Sequence, residues 1–436
     1  MQPTRVRYGV VAYAVSLAVI TYLDRVCISF AAPSIRRDLG LTPVQMGLAF
    51  SAFNIGYALF EIPGGFLGDW IGPRKVLTRI VLWWSFFTAA TGWAWGQVSL
   101  VATRFLFGAG EAGCFPNLSK AFTVWLTERE QVRAQGAMWL AARWGGAFTP
   151  PLVALVIKLV GWRHGFAIFG CVGLVWAAIF WFRFRDDPRQ HPKMNDAERE
   201  LLRDNAALAA SHSDVPWGKI VRSRQVWMLC WQFFAMNYGW WFNVTWLPTY
   251  LREARHVEIV ATAWLSVLPL FLGGLGNPVS VFLTTRLENW TKDRRRARRD
   301  TARLGLIGAG AFLFFSTWMH SPLAAMLFIG MSSFCNDLVM PPAWNSATDI
   351  GGPWAGTVGG AMNMWGNLGG AISPTAIGLI LRWTGSWNVT FYASAAAYLT
   401  AVVFWSFLDP VTPLVQSTDA GVHAEGSAAQ SGSLQQ

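Results

Sequence analysis

Seven ionisable side chains stand inside stretches that are otherwise almost wholly apolar: Asp24, Arg25, Glu61, Arg104, Glu111, Arg143 and Asp337. A charge at mid-bilayer costs roughly 2.5 to 3.5 kcal/mol on insertion scales, so each needs a partner or a water-filled cavity. Arg104 and Glu111 are seven residues apart, nearly two helical turns, and so project from one face and can serve one cavity. Asp24 and Arg25 are adjacent, about 100° apart around a helix, so each seeks its partner elsewhere. Arg104 is the expected partner of Asp24. A carboxylate in a low-dielectric site grips its proton and releases it as a guanidinium approaches, which makes Asp24 and Glu111 candidates for proton coupling. Arginine stays charged and presents a planar fork matched to a carboxylate, so Arg25 and Arg104 suit an anionic substrate. The alternative is that these ions only lock helices together. That reading is preferred for Glu61, which stands near the end of its span.

Later in the chain, neutral groups replace ions. Asn363 and Asn367 are four apart on one helical face, and Trp344 lies beside Asn345. They could bind hydroxyls, with an indole face against a sugar ring, or simply join helices.

The elements that must position these residues are membrane helices. The chain has 436 residues, 53% hydrophobic and 14% charged, where soluble proteins carry about 25% charged residues. A soluble enzyme is thereby excluded. Apolar runs near 20 residues recur, each able to cross a hydrocarbon layer about 30 Å thick. They are too long for barrel strands, and backbone polar groups in lipid must be satisfied locally, so the expected fold is an all-α membrane protein. Twelve transmembrane helices are expected, near residues 8–32, 43–66, 76–95, 98–119, 134–158, 163–184, 225–250, 259–285, 301–319, 322–345, 354–382 and 388–408. The first is too long for a signal-peptide core and is read as retained.

Cations orient the spans. The N-terminus and the even-numbered loops hold 25 of the 35 Lys and Arg, and the odd-numbered loops hold seven. Both termini are therefore expected in the cytoplasm, with the chain spanning the cell inner (cytoplasmic) membrane. The net charge of +11 follows from this bias, and no nucleic-acid partner is implied. All five cysteines lie inside spans, without disulfide or zinc spacing.

Residues 136–161 placed on 360–385 match at nine positions, among them Gly145/Gly369, Gly146/Gly370 and Pro150/Pro374. This pairs span five with span eleven, so two six-helix halves repeat about an axis along the membrane normal. Arg143 then occupies the position of Asn367, a third cation for the cavity. The halves are expected at 1–184 and 225–410, joined by a cytoplasmic linker at 185–224 with a helix-like stretch at 195–210. The tail at 411–436 is too polar and small-residue-rich to pack and is expected to be disordered.

Other motifs carry no chemistry. Gly108-Ala-Gly-Glu-Ala-Gly113 has dinucleotide-loop spacing but lies in an apolar helix without a preceding strand. Its glycines suit close helix approach, as do Gly64 and Gly68. The histidines are scattered, so no metal is expected. No cofactor is implied either.

The run Gly65-Phe-Leu-Gly-Asp69-Trp-Ile-Gly72-Pro-Arg74-Lys75 resembles the signature loop of the major facilitator superfamily. Tyr22-Leu-Asp24-Arg25, Ile62-Pro-Gly-Gly65, Arg104 with Gly110-Glu111-Ala-Gly113, Phe115-Pro-Asn117, Gly161-Trp-Arg163 and Gly359-Gly-Ala-Met-Asn363 resemble its anion:cation symporter family. That family includes transporters of hexuronates, aldonates, aldarates and phthalates, and sialin. The resemblance implies that Asp24 and Glu111 couple protons, with Arg25 and Arg104 partnering them or the substrate. It also implies that Tyr57 and Asn363 line the site, and that Asp69, Arg74 and Lys75 form a cytoplasmic charge latch between the halves. Arg143 and Glu61 depart from the family pattern, and the loop between spans eight and nine keeps Arg286 without a clear acidic counterpart.

The expected function is proton-coupled import of an organic anion, a sugar acid, by a monomer in the lipid bilayer working through alternating access. Exchange or uniport, and a membrane anion sensor without flux, are the alternatives.

Overall fold

The computed structural model describes residues 3–202 and 217–414, and among them every regular element is helical. Spans one to three are single helices, Tyr8–Leu39, Pro43–Ile71 and Pro73–Thr91. Span four is broken into Gln97–Glu111 and Cys114–Trp125. Spans five and six form Glu128–Arg183, which turns at Gly161 where φ is +76°. Span seven is Arg224–Thr245 with Leu247–Glu253, and span eight is Ile259–Leu265 with Val267–Thr291. Span nine is Arg294–Ser316, and span ten is Pro322–Asp337 with Met340–Gly351. Spans eleven and twelve are Ala355–Thr384 and Trp387–Phe407.

This is the expected twelve-helix bundle in two six-helix halves, with breaks in spans four, seven, eight and ten that hydropathy alone does not show. Of the helix-like stretch at 195–210, Asp196–Leu201 is helical; residues 203–216 and the tail beyond 414 lie outside the described residues.

The break in span four has a visible cause. Gly113 takes φ +83°, and a β-carbon there would come within 2.5 Å of Gly64 backbone, so only glycine suits the position. Asn117 then donates to the Gly64 and Gly113 carbonyls at 3.0 and 2.7 Å, satisfying polar backbone exposed by the interruption.

Among the described residues, six helices are long and apolar enough to cross a membrane by length and composition. The outer face of the bundle carries exposed Leu59, Phe86, Val175 and Phe282, as lipid contact requires. Exposed Trp70, Trp95, Trp290 and Trp383 sit at span ends, where amphipathic indoles match headgroup depth.

The halves meet closely at the end remote from the basic loops. A methyl on Gly47 would come within 2.5 Å of the Pro374 oxygen, and one on Gly378 within 2.8 Å of the Pro43 oxygen. Asn54 donates to the Gly370 carbonyl at 3.0 Å. Arg36 pairs with Glu253. Small residues on spans two and eleven thus seal that end by backbone contact.

Candidate functional site

Five residues singled out from the sequence meet at mid-depth in the first half. Asp24 and Arg25 come from span one, Tyr57 from span two, and Arg104 and Glu111 from span four. Asp24 and Glu111 are fully buried, and Arg104 is 2% exposed. Arg25 Nε donates to Glu111 Oε1 at 2.5 Å. Its guanidinium lies 4.9 Å from the Tyr57 ring centre and 5.2 Å from that of Phe53. The Arg104 guanidinium lies 4.3 Å from Phe107 and 5.5 Å from the same Phe53. Phe53 therefore stands beside both cations, and aromatic faces replace water around them.

The expected Asp24–Arg104 hydrogen bond is not made. Arg25 reaches Glu111 instead, while the Arg104 guanidinium rests on the Phe107 and Phe53 rings. No donor meets either Asp24 carboxylate oxygen with hydrogen-bond geometry, although Arg104 and Trp84 are close enough to interact with it electrostatically. Arg104 Nε and Nη1 and Glu111 Oε2 are likewise buried without a hydrogen-bond partner. Buried charged groups without hydrogen bonds are costly, so these atoms are the polar groups of the cluster that the protein itself leaves unsatisfied.

Two further carboxylates join the halves. Glu61 of span two accepts hydrogen bonds from Asn363 and, at 3.4 Å, from Asn367 of span eleven. The two asparagines assigned to substrate hydroxyls are here engaged by Glu61, which is buried rather than at an interface. Arg143 of span five donates to Asp337 of span ten at 2.9 Å and lies 4.3 Å over the Trp240 ring. Trp344 packs edge-on to Phe233, with its ring beside Gly359.

At the basic end, the Arg74 backbone N–H donates to Asp186 at 2.7 Å and its guanidinium to the Trp181 carbonyl at 2.6 Å. Burial pushes the Asp186 carboxyl up, and the neighbouring Arg74, Lys75 and Lys120 only partly offset it. In this conformation Arg74 is tied within its own half, to the end of span six, and not across a latch. Lys75 is exposed, and the Asp69 side chain lies outside the described residues.

Reading the sequence for ions located Glu61 and Asp337 but gave neither a place in the site. The signals were present: Asp337 stands in the span that the repeat pairs with the Glu111 span, and the asparagines four apart on one face needed an acceptor.

The family model for the Major Facilitator Superfamily matches residues 14–374 and 293–432. The chain belongs to the Major Facilitator Superfamily. It is a multi-pass membrane transporter and not an enzyme. Among its relatives, the probable sulfoacetate transporter SauU of Cupriavidus necator is 35% identical over 94% of this chain and 95% of that protein. The hexuronate transporter of Bacillus subtilis is 28% identical, covering 94% and 97% of the two chains. The probable galactarate/D-glucarate transporter GudP of Escherichia coli is 29% identical, covering 93% and 94%. These relatives bear out the likeness to the anion:cation symporters. Among solved structures, a bacterial homologue of the human lysosomal transporter Spinster superposes with a TM-score of 0.74 at 17% identity, covering 93% and 97%. The D-xylose-proton symporter gives 0.72 at 12% identity, covering 92% and 98%. Both share the superfamily fold, and in that fold the Asp24–Arg25–Arg104–Glu111 cluster lies in the interior of the first half.

Proposed function

We propose that this transporter carries an organic anion, a sugar acid, into the cytoplasm together with protons. The observation that carries the reading is the buried Asp24, Arg25, Arg104 and Glu111 cluster with its unpartnered charged atoms. With both acids ionised the four formal charges cancel. An arriving carboxylate would leave the site net negative in a low-dielectric interior, which is strongly disfavoured. A proton taken up by Asp24 or Glu111 restores neutrality, so substrate and proton favour each other's binding. Arg104, with Nε and Nη1 free, offers the substrate carboxylate a fork of donors. Arg25 exchanges between Glu111 and the anion, and Tyr57 walls the site.

Transport proceeds by rocking the halves, 1–184 and 225–410, about the linker at 185–224. If the basic end faces the cytoplasm, the close contact of Gly47 and Gly378 with span eleven and span two seals the outer side, an inward-facing arrangement. In the opposite arrangement Asp69, Arg74 and Lys75 would close the basic end. The anionic substrates named for the relatives support the substrate class.

Uptake by proteoliposomes is the test. Accumulation of a hexuronate, aldonate or aldarate should follow an inward proton gradient and vanish when the gradient is collapsed. Uptake unaffected by the gradient would overturn coupling, and no uptake of any organic acid would overturn the substrate class.

A further inference from the structure

Spans three and six frame a groove of about 810 Å³ at the basic end of the first half, outside the charged cluster. Its two walls are helical stripes. Lys75, Arg79, Leu82 and Phe86 recur every three or four residues on span three, and Leu174, Ala178 and Trp181 do so on span six. Deeper in the bundle the two helices touch directly, since a β-carbon on Gly170 would come within 2.6 Å of the Ser85 carbonyl oxygen. Nearer the basic end, Ala177 and Ala178 project only methyl groups, so the space between the aromatic rings of span three and Trp181 stays unfilled. Leu82, Phe86 and Leu174 are exposed along it, so the groove opens on the lipid-facing side.

Charge is confined to one end of this groove. The Thr78 hydroxyl donates to the Arg74 carbonyl at 2.8 Å, and the Trp83 indole N–H to the Leu106 carbonyl at 2.9 Å. Trp181 is braced by Arg74, whose guanidinium lies 4.4 Å over its ring. Lys75 and Arg79 remain, both exposed and about one helical turn apart. Asp186 interacts electrostatically with Lys75 while accepting its hydrogen bond from the Arg74 N–H. No described carboxylate pairs with Arg79. The groove therefore carries a net positive head on an apolar body.

Its length matches one leaflet. From Lys75 to Phe87, span three rises roughly 18 Å at 1.5 Å per residue, against about 15 Å for half of a 30 Å hydrocarbon layer. A water-soluble anion would satisfy the cations and leave the apolar body unfilled. A zwitterionic lipid would fill the body but bring its own ammonium against the cations. An amphiphile with a single anionic head satisfies both ends.

We propose that this groove binds an anionic phospholipid of the leaflet at the basic end, with its phosphate between Lys75 and Arg79 and one acyl chain running past Ala178 toward Leu174. The site is separate from the cargo site and stands whatever anion is carried.

The test is photolabelling of the full-length transporter in vesicles that contain a trace of phospholipid bearing a diazirine in its acyl chain, the labelled residues being mapped by peptide mass spectrometry. Phosphatidylglycerol and phosphatidylethanolamine probes with identical chains are compared. Labelling at residues 82–87 and 174–178 should be about tenfold stronger with the anionic probe, at roughly fivefold per cation less the offset from Asp186. Arg79→Gln should lower that labelling about fivefold and leave the zwitterionic probe unaffected. Ala178→Phe, which fills the groove with both cations intact, should lower labelling by both probes. Excess glycerol 3-phosphate should displace neither. Equal labelling by the two probes, or labelling by the anionic probe that Arg79→Gln leaves unchanged, would overturn the proposal. Displacement by glycerol 3-phosphate would also overturn it, by assigning the cations to a soluble anion.

Discussion

Span four and span ten occupy equivalent places in the two halves, and each is interrupted directly after a carboxylate. The first segment of span four ends on Glu111 and that of span ten on Asp337. Both acids are fully buried and each holds a guanidinium. Their partners differ. Glu111 takes Arg25 from its own half, whereas Asp337 takes Arg143 from the other half. The first pair can exchange partners without moving a domain; the second must break or bend when the halves separate. One architecture thus holds its acid within a half in the first case and across the two halves in the second.

Removing one member of each pair should expose the difference. Asp337→Asn or Arg143→Gln strands a buried charge and should cost about 3 to 5 kcal/mol, while the double substitution recovers most of it. Unfolding of the detergent-solubilised protein measures this, and single variants as stable as the parent would deny the pair its fastening role. Glu111→Gln keeps size and shape, but an amide carries no titrating proton, so the ratio of internal to external substrate should fall to about one. Counterflow across the same liposomes should persist, since it needs no net proton movement.

Glu61 makes another cross-half link, with neutral partners. Glu61→Gln should lose the better part of two hydrogen bonds to Asn363 and Asn367, about 1 to 2 kcal/mol. The sealed end should then open more often, seen as faster labelling of a cysteine placed at Asn54 by a membrane-impermeant thiol reagent. Unchanged labelling would assign the seal to the Gly47 and Gly378 contacts alone.

The smallest expected effect lies at the basic end. Burial pushes the Glu130 carboxyl up, but hydrogen bonds from Tyr8, Thr127 and Arg7 outweigh it and hold it below its ordinary value. A depressed carboxylate stabilises the fold above its ordinary value, and that contribution disappears as pH falls through the folded one. Acidification should therefore lower the melting temperature of the parent more than that of Glu130→Gln.

Much of this architecture was legible in the residue order. Apolar run length required twelve helices, and the repeat at residues 136–161 and 360–385 required two parallel halves. The cost of intramembrane charge singled out Asp24, Arg25, Glu61, Arg104, Glu111, Arg143 and Asp337. Hydropathy could not show the interruptions at Gly113 and after Asp337, because a broken apolar helix is as apolar as an intact one.

The sequence by itself determined which charges enter the membrane and at what depth, since both follow from position along a helix of known rise. Only the tertiary structure decided who pairs with whom: Arg25 with Glu111 in place of Asp24 with Arg104, and the two asparagines with Glu61. Pairing depends on how helices distant in sequence are rotated about their axes and how closely their glycines let them approach. Those quantities are set by packing of the whole bundle, which the periodicity of one span does not contain.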